Sequence, residues 1–351
     1  MIRLYRAFRP LLFRLPPETA HSWVHRGLAG FQRTPLVGPV TRRYAVDDER
    51  LETSAFGQSF PNPIGVAAGF DKNARVPRAL SALGFGFVEV GGVTAVPQAG
   101  NPRPRLFRLP EDRALINRMG LNNDGAAAVG ARLAGTDVAV PVGVNIAKSE
   151  HVPPEAAPVD YRQTYEHVAE GGDFFVVNVS CPNSQGFVEL QNREAMAANL
   201  GELLDAGASP RLVKLSPDLP PPAIDDALDL VGEFGLDGVV ATNTTTSRPA
   251  SLRSLNRIED GGLSGAPIEE TATEMVRYVF RRTDVPVVGV GGVSTAADAY
   301  RKIRAGASVI QLYTGLVYRG PAIARDINRG LVARLERDGF SHIEDAVGVD
   351  A

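Results

Sequence analysis

Eight short apolar runs recur from about residue 62 onward, and they alternate with stretches of helical character. The runs show no polar alternation, so strands formed from them would be buried on both faces, as in a parallel sheet that helices cover. Eight strand–helix units predict an α/β fold, a closed (β/α)8 TIM barrel. The runs span residues 64–68, 87–91, 138–146, 174–179, 212–215, 238–241, 285–290 and 308–312, and the helical stretches span 76–83, 125–133, 161–169, 194–204, 224–234, 269–280, 296–305 and 322–335.

An open, doubly wound sheet is the alternative architecture for such alternation. That fold carries a glycine-rich dinucleotide loop after its first strand, whereas here Gly289-Val290-Gly291-Gly292 follows the seventh run. The barrel is therefore the favoured fold. Residues 51–60, with Gly57 between two short β-like pieces, predict a hairpin that closes the lower end of the barrel.

The composition is that of an ordinary globular protein, with 44% apolar and 22% charged residues. A length of 351 residues suits two average domains or one large barrel with an extension. A net charge of −3 argues against a nucleic-acid partner. The lone cysteine excludes an intramolecular disulfide and favours a reducing compartment. No apolar run reaches the roughly 18 residues of a membrane span, and no signal peptide is evident.

The first 44 residues form a basic and apolar segment that differs from the mildly acidic remainder. They contain eight arginines against one acidic residue, Glu18, interleaved with aromatic and aliphatic residues. Pro16-Pro17 divides them into a short first segment and a helix from about residue 18 to 30. Such a segment favours a membrane interface over a small helical cap that packs on the barrel. We expect an N-terminal helical extension at 1–45 and a catalytic barrel at 46–351.

Polar residues follow the predicted strands at their carboxyl ends, where barrel enzymes place their active sites. Three of the chain's four lysines, Lys72, Lys148 and Lys214, fall at or just beyond a predicted strand end. Glycine-rich turns follow the seventh and eighth strands. These turns predict a phosphate site, because they expose backbone N–H groups and can add the N-terminus of a short helix.

Lys214, at the end of the fifth run, allows two interpretations. A desolvated lysine can form a Schiff base, or it can supply a fixed positive charge to an anionic cofactor ring. Asparagines at neighbouring strand ends favour the second, since an amide matches a planar heterocycle edged with C=O and N–H groups. These asparagines are Asn117, Asn145, Asn178, Asn183 and Asn243.

Cys181 is either an inert buried thiol or a reactive group. Because no His, Cys or Asp cluster has ligand spacing, a metal site is not expected.

Seven sequence motifs, in order along almost the whole chain, resemble those of dihydroorotate dehydrogenase, the flavin enzyme of pyrimidine synthesis. The motifs are AAGFDK at 67–72, GNPRPRLFRL at 100–109, NRMGLN at 117–122, NVSCPN at 178–183, KLSPD at 214–218, ATNTT at 241–245 and GGLSG at 261–265. The resemblance implies a flavin-bearing barrel, which agrees with the fold that the residue pattern predicts.

The resemblance implies one non-covalently bound FMN per chain, dihydroorotate as substrate and orotate as product. Lys214 would stabilise negative charge on the reduced flavin, and Lys72 would pair with the substrate carboxylate. Cys181 would be the base that takes a proton from C5 of dihydroorotate while a hydride leaves C6 for the flavin. The implied FMN contacts are Ala68, Gly69, Gly92, Asn145, Asn178, Lys214, Thr242, Gly265, Gly292, Tyr313 and Thr314. The implied substrate contacts are Lys72, Asn117, Arg118, Met119, Gly120, Leu121, Asn178, Asn183, Asn243 and Thr244.

Three residues depart from what the family usually shows. Cys181 stands where quinone-linked members usually carry serine, Gly92 replaces a hydroxyl residue near the flavin, and Leu121 replaces a phenylalanine beside the substrate. The N-terminal extension is nevertheless typical of the quinone-linked class, as is the Ala20-His21 pair. The resemblance therefore favours the quinone-linked class.

This class implies a membrane quinone as electron acceptor and a peripheral position, through residues 1–44, on the cytoplasmic face of the inner cell membrane. His21, Arg108 and Tyr313 match positions that line the quinone tunnel, although His21 also fits a plain helix residue. One alternative is a soluble member of the family that uses fumarate or NAD⁺. Two others are a non-flavin barrel enzyme for phosphorylated sugars, with Lys214 as a Schiff-base lysine, and a catalytically inactive membrane scaffold.

Overall fold

The structure, a computed structural model, describes residues 2–180, 190 and 192–351. Two predicted site residues, Cys181 and Asn183, lie outside the described residues. The strands are β1 (Thr53–Ala55), β2 (Gln58–Phe60), β3 (Ile64–Val66), β4 (Phe87–Val93), β5 (Leu106–Leu109), β6 (Ala114–Asn117), β7 (Val142–Ala147), β8 (Phe174–Asn178), β9 (Arg211–Leu215), β10 (Gly238–Ala241), β11 (Gly262–Gly265), β12 (Val287–Val290) and β13 (Ala307–Leu312). The helices are α1 (Ile2–Arg14), α2 (Pro17–Phe31), α3 (Val37–Tyr44), α4 (Pro77–Ala82), α5 (Ala126–Ala134), α6 (Ala157–Val168), α7 (Arg193–Asp205), α8 (Pro221–Glu233), α9 (Glu269–Phe280), α10 (Ala296–Arg304), α11 (Thr314–Arg319) and α12 (Ile323–Asp338).

Eight parallel strands close into a barrel, in the order β10-β12-β13-β3-β4-β7-β8-β9 around its circumference. Each predicted apolar run contributes one strand, so the predicted (β/α)8 barrel is confirmed. Every residue of β4, β7, β8 and β9 is buried. Burial on both faces, by the barrel interior and by the outer helices, explains why the runs lack polar alternation.

The third barrel strand begins later than predicted. The apolar run 138–146 suggested an early start, but β7 begins at Val142. Pro141 has no N–H with which to join a ladder, although its carbonyl accepts a bond from Val88 N at 3.1 Å. Strand pairing therefore starts at the residue that follows the proline.

The hairpin formed by β1 and β2 closes the lower end of the barrel, as predicted. Phe56 and Phe60 carry its aromatic rings inward. The Phe56 ring lies 5.0 Å from that of Phe174, and the Phe60 ring lies 5.1 Å from that of Phe87. Since Phe87 and Phe174 begin β4 and β8, this cluster plugs the amino-terminal end of the strands and leaves the opposite end for a site.

An antiparallel sheet of three strands, in the order β11-β6-β5, was not predicted. Its pairing joins distant parts of the chain, with Gly262 opposite Asn117 and Gly265 opposite Ala114. Leu106 and Leu115, from β5 and β6, line the cavity at the barrel mouth. The sheet thus forms one wall above the carboxyl ends of the barrel strands.

The N-terminal helices pack beside this wall. The predicted helix at about 18–30 is α2, whereas α3 was not predicted. Tyr5 Oη donates to Val317 O at 2.6 Å, and Arg9 Nη1 donates to Tyr318 O at 3.0 Å. The exposed large apolar residues of α1 and α2 are Phe8, Leu11, Trp23 and Val24. Across the described ranges, no helix combines the length and the apolar character needed to cross a membrane.

Candidate active site

A cavity of about 440 Å³ lies at the carboxyl ends of the barrel strands. It brings together nearly all of the predicted site residues that the structure describes. Those that line it are His21, Ala68, Gly69, Lys72, Gly92, Asn117, Met119, Gly120, Leu121, Asn145, Asn178, Lys214, Thr242, Asn243, Thr244, Gly265, Gly292, Tyr313 and Thr314.

Arg118 is placed differently from its neighbours in the predicted substrate loop. Its Nη1 donates to Glu259 Oε2 at 2.9 Å and to Asp260 O at 3.0 Å, and its guanidinium stacks on the Phe107 ring at 4.4 Å. The side chain therefore ties the loop to the segment before β11 and does not line the cavity.

A chain of polar side chains crosses the cavity floor and begins at Glu89 on β4. Asn145 Nδ2 donates to Glu89 Oε1 at 2.8 Å, and Asn178 Nδ2 donates to Asn145 Oδ1 at 3.1 Å. Gln311 also donates to Glu89. Because a carboxylate only accepts, Glu89 fixes which way the Asn145 amide turns, and Asn145 then fixes the amide of Asn178.

The same chain continues to the loop after β10. Ser180 N donates to Asn178 Oδ1 at 3.3 Å, and Asn243 Nδ2 donates to Ser180 O at 2.9 Å. Asn243 Oδ1 accepts from Thr244 N at 2.8 Å. Each amide on the chain therefore has a defined orientation, which a heterocyclic ligand needs if it is to meet donors and acceptors in fixed places.

Lys214 supplies a buried positive charge next to this network. The residue is 6% exposed, and its Nζ lies 4.0 Å from Glu89 Oε1. An unpaired charge at such depth would be costly, so the carboxylate stabilises the ammonium. The Lys214 ammonium lies near the end of β9 and faces the cavity.

Lys72 lies on the loop after β3 and lines the same cavity. Its Nζ donates to Gly69 O at 2.7 Å. Burial and, to a smaller extent, the charge of Arg105 lower the pKa of Lys72 to about 8, against the opposing effect of Glu18 and Asp71. An anionic ligand would raise this pKa again, because it stabilises the charged form.

Glycines at the end of β11 and after β12 and β13 are packed closely against neighbouring residues. An added Cβ would come within 2.3 Å of Glu269 Cβ at Gly292 and within 2.3 Å of Val293 O at Gly315. Gly292 also has φ +74, which side chains disfavour. Helix α11 begins beside them at Thr314, so its first N–H groups face the cavity end. These features suit a phosphate group.

The two unusual residues near the predicted flavin and substrate sites, Gly92 and Leu121, lie close together. A Cβ at Gly92 would lie 2.9 Å from Leu121 Cδ2 and 3.2 Å from Asn145 Oδ1. A hydroxyl residue at 92 would therefore press on the Leu121 side chain. The glycine leaves room for Leu121, so the two departures form one packing arrangement.

A second cavity of about 360 Å³ separates α1 and α2 from the barrel. Its lining is mostly apolar, and it includes all three of the predicted quinone-access residues, His21, Arg108 and Tyr313. Arg108 Nη1 donates to Leu15 O at 2.8 Å. His21 and Tyr313 also line the first cavity, so the two cavities share these side chains.

Phe70 lies between the shared side chains. Its ring centroid is 5.4 Å from that of His21 and 5.7 Å from that of Tyr313. Burial lowers the pKa of His21 well below its usual value, and the charge on Lys72 lowers it further. Burial also raises the pKa of Tyr313 to about 12. Both side chains are therefore neutral near pH 7.

Sequence reasoning missed Arg105, which connects α2 to the predicted substrate loop. Arg105 is 5% exposed, and its Nη1 donates to Ala99 O at 2.7 Å and to Met119 O at 3.5 Å. Its Nη2 lies 2.7 Å from Glu18 Oε1. Nothing in the local pattern distinguishes Arg105 from the other arginines of its motif, so no signal pointed to this role.

Glu89 was also missed, but a signal existed. It is the one acidic residue inside a run of buried apolar positions, and such a residue needs partners. The prediction considered only residues at strand ends, and Glu89 lies in the middle of β4. In the described part of the chain, no three His, Cys, Asp or Glu side chains group as they would around a metal ion.

Comparisons with known proteins agree with this geometry. The family model described as dihydroorotate dehydrogenase matches residues 50–335. Relatives named dihydroorotate dehydrogenase (quinone) include that of Haloarcula marismortui, 69% identical over 99% of this chain and 100% of the relative, and that of Gloeobacter violaceus, 49% identical over 98% of each.

Solved structures agree as well. The ligand-free dihydroorotate dehydrogenase of Eimeria tenella superimposes with a TM-score of 0.88 at 36% identity, over 95% of this chain and 99% of that chain. The same enzyme in complex with ferulenol gives 0.86 at 35% identity over 95% of each. Both the matched length and the identity exceed what a shared fold alone would give, and the chain belongs to the dihydroorotate dehydrogenase family.

Proposed function

We propose that the protein oxidises (S)-dihydroorotate to orotate in de novo pyrimidine synthesis, with FMN as the hydride acceptor and a membrane quinone as the final electron acceptor. One observation carries the proposal: a polar cavity lined by the buried Lys214 and the partly buried Lys72 adjoins an apolar cavity, and His21 and Tyr313 line both. The quinone named in the relatives supports the choice of acceptor.

The first cavity has the groups that FMN needs. Its phosphate would lie on the backbone N–H groups around Gly265, Gly292 and Thr314, and Lys214 would face the ring. Ala68, Gly69, Gly92, Asn145, Asn178, Thr242 and Tyr313 would complete the lining. When bound, FMN supplies a two-electron acceptor that can pass electrons on to a quinone. The fixed charge of Lys214 would stabilise negative charge there without any rearrangement.

Dihydroorotate would occupy the part of the cavity lined by Lys72 and the oriented amides. Lys72 would pair with the carboxylate, and Asn117, Asn178, Asn243 and Thr244 would hydrogen-bond the ring. Met119, Gly120 and Leu121 would cover it. Arg118 would act through its ion pair with Glu259, which holds the loop in place. Such preorganised contacts fix the substrate for proton removal.

The base is assigned from the sequence, since Cys181 and Asn183 lie outside the described residues. Cys181 would take the proton from C5 of dihydroorotate, and Asn183 would contact the substrate. Ser180, one residue before, is held by the amide chain through Asn178 and Asn243. This anchoring would fix the chain at Ser180, directly after β8.

The quinone would occupy the apolar cavity, with His21, Arg108 and Tyr313 as its polar contacts. Residues 1–44 would hold the protein on the cytoplasmic face of the inner membrane as a peripheral protein. The exposed Phe8, Leu11 and Trp23, together with the arginines of the extension, support this attachment. An enzyme that uses fumarate or NAD⁺ would have no need of this apolar cavity.

The decisive experiment is a spectrum of the purified protein followed by titration with dihydroorotate. We expect flavin absorbance that bleaches on addition of dihydroorotate and returns with decylubiquinone, faster when lipid is present. A colourless protein would exclude the flavin mechanism. Fumarate turnover as fast as quinone turnover would overturn the assignment of the acceptor.

A further inference from the structure

Leu255 and Ile258 are exposed although both are large and apolar. They are 85% and 82% exposed, the highest values for such side chains among the residues that the structure describes. Both belong to a single 3₁₀ turn, Leu255–Ile258. Adjacent exposed apolar side chains mark an interaction site more often than scattered ones do.

The turn is firmly anchored from below. Arg253 N and Ser254 N donate to the two carboxylate oxygens of Asp112 at 2.9 and 3.0 Å. Leu252 is buried in a cluster with Phe107 and other residues of the three-stranded sheet. The two apolar side chains are therefore presented by an ordered turn, and their exposure does not come from a loose loop.

The turn lies beside the junction of α1 and α2. Asn256 Nδ2 donates to Arg108 O at 3.0 Å, and the Arg108 side chain donates to Leu15 O at 2.8 Å. The Arg108 guanidinium also lies 4.6 Å from the centre of the Phe13 ring. Because Arg108 and Phe13 line the apolar cavity, the turn is at the same side of the molecule as that cavity.

The two charged residues that flank Leu255 are arginines, which favours an anionic surface. Arg253 and Arg257 are exposed on either side of Leu255. The nearest acid after Ile258, Glu259, is paired with Arg118 at 2.9 Å. Apolar side chains flanked by arginines are the composition that enters the boundary between lipid head groups and acyl chains.

We propose that the turn Leu255–Ile258 is a second membrane contact, made by the barrel itself and not by the extension. Leu255 and Ile258 enter an anionic bilayer while Arg253 and Arg257 bind its head groups. The contact rests on the proposed function, which requires the protein to take its quinone from a membrane. Two contacts, on α1–α2 and on this turn, hold the apolar cavity against the bilayer.

The test compares two double variants of the full-length holoenzyme in co-sedimentation with vesicles of phosphatidylcholine and phosphatidylglycerol. We expect Leu255→Ser with Ile258→Ser to weaken vesicle binding about tenfold, because two partly inserted side chains are lost. The control is Val159→Ser with Leu204→Ser, which removes two apolar side chains, 54% and 44% exposed, from α6 and α7. The control should bind like the wild type, and both variants should keep the wild-type rate with a water-soluble acceptor.

A charge variant tests the head-group contact. Arg253→Gln with Arg257→Gln should weaken binding to vesicles that contain phosphatidylglycerol and leave binding to pure phosphatidylcholine unchanged. The difference should shrink as salt is added, because salt screens exposed charges. Equal loss on both kinds of vesicle would contradict the proposed electrostatic part.

The outcomes separate this inference from the proposed function. If the wild type binds vesicles and the Leu255/Ile258 variant binds them equally well, the inference is overturned and the proposed function stands. If the wild type does not bind vesicles at all, both this inference and the membrane attachment in the proposed function fail, whatever the quinone assay gives. If the variant instead converts a dimer to a monomer in light scattering while vesicle affinity is unchanged, the turn is a contact between copies of this chain.

Discussion

The two cavities differ in what holds their walls in place. The polar cavity is bounded by strand ends and by a chain of side-chain hydrogen bonds that starts at Glu89. The apolar cavity is bounded by helices of the extension, with Arg108 as its main tether to the α1–α2 junction. The polar cavity is suited to fix the orientation of a polar ring, and the apolar cavity is suited to admit an apolar molecule.

This difference has a kinetic consequence that mutations can test. Changes in the polar cavity should affect dihydroorotate oxidation with every electron acceptor. Changes in the apolar cavity should affect turnover with quinone alone. A water-soluble acceptor that reoxidises the flavin directly therefore separates the two groups of residues.

The largest effect is expected from Cys181→Ala, which removes the proposed base. Flavin bleaching by dihydroorotate should slow by about 10²–10⁴-fold, as stopped-flow absorbance would show. Cys181→Ser should keep weakened activity with its pH optimum moved upward, because a thiol titrates near pH ~8.5 and a serine hydroxyl far above it. An alanine variant that bleaches at the wild-type rate would remove Cys181 from the mechanism.

Lys72→Met should lower kcat/KM for dihydroorotate by about 10- to 100-fold, the range for loss of a charged hydrogen bond. The wild type should also lose kcat/KM as pH rises above about 8. The sign follows from the pKa of about 8: Lys72 is charged below that pH and can pair with the substrate carboxylate, whereas above it the pairing is lost. The Lys72→Met variant should not show this loss of kcat/KM at alkaline pH. If the loss persists in the variant, a group other than Lys72 causes it.

Gly27→Leu should raise KM for decylubiquinone about tenfold and leave the rate with a water-soluble acceptor unchanged, since tenfold corresponds to ~1.4 kcal/mol of lost binding. Gly27 lines the apolar cavity, and a Cβ added there would meet no atom within 4 Å. Gly30→Leu on the same helix is the matched control, with equally open space but no place in the cavity lining. If both variants raise KM for decylubiquinone equally, the effect comes from a change in α2 and not from the filling of the cavity.

The smallest effect is expected from Glu18→Gln, which breaks the ion pair to Arg105. KM for dihydroorotate should rise about two- to fivefold with every acceptor, although Glu18 belongs to the extension. The alkaline fall of kcat/KM should also move to lower pH, because the negative charge of Glu18 raises the pKa of Lys72. Arg103→Gln is the control, since Arg103 pairs with the same carboxylate but is exposed. An effect limited to quinone would show that α2 serves the apolar cavity alone.

The barrel could be predicted from the sequence because each of its strands lies in a mostly apolar run, with only single polar residues such as Glu89 inside it. The three-stranded sheet could not, since β5 and β6 lie outside the recurring strand–helix pattern, and β11 joins them from about 145 positions away in the chain. Long-range pairing of this kind leaves no local pattern. The start of β7 was placed too early because Val138 and Val140 extend the apolar run on the far side of Pro141.

The site could be predicted where chemistry and position coincide. Lys72, Lys214 and the described asparagines line one cavity, as expected of polar residues at the strand ends of a barrel. The proximity of Gly92 and Leu121 could not be predicted, because it depends on how the loop that carries Leu121 lies against the end of β4. Arg105 was missed for the same reason, since its partners are mainly backbone carbonyls.

The side chains shared by the two cavities determine how the substrates meet in steady state. His21, Phe70 and Tyr313 lie between the two cavities. Dihydroorotate from the aqueous phase and quinone from the membrane therefore need not displace one another. Neither should behave as a competitive inhibitor of the other, even at high concentration. Product orotate should compete only with dihydroorotate, so feedback through orotate would act on one half of the catalytic cycle and leave reoxidation free to proceed.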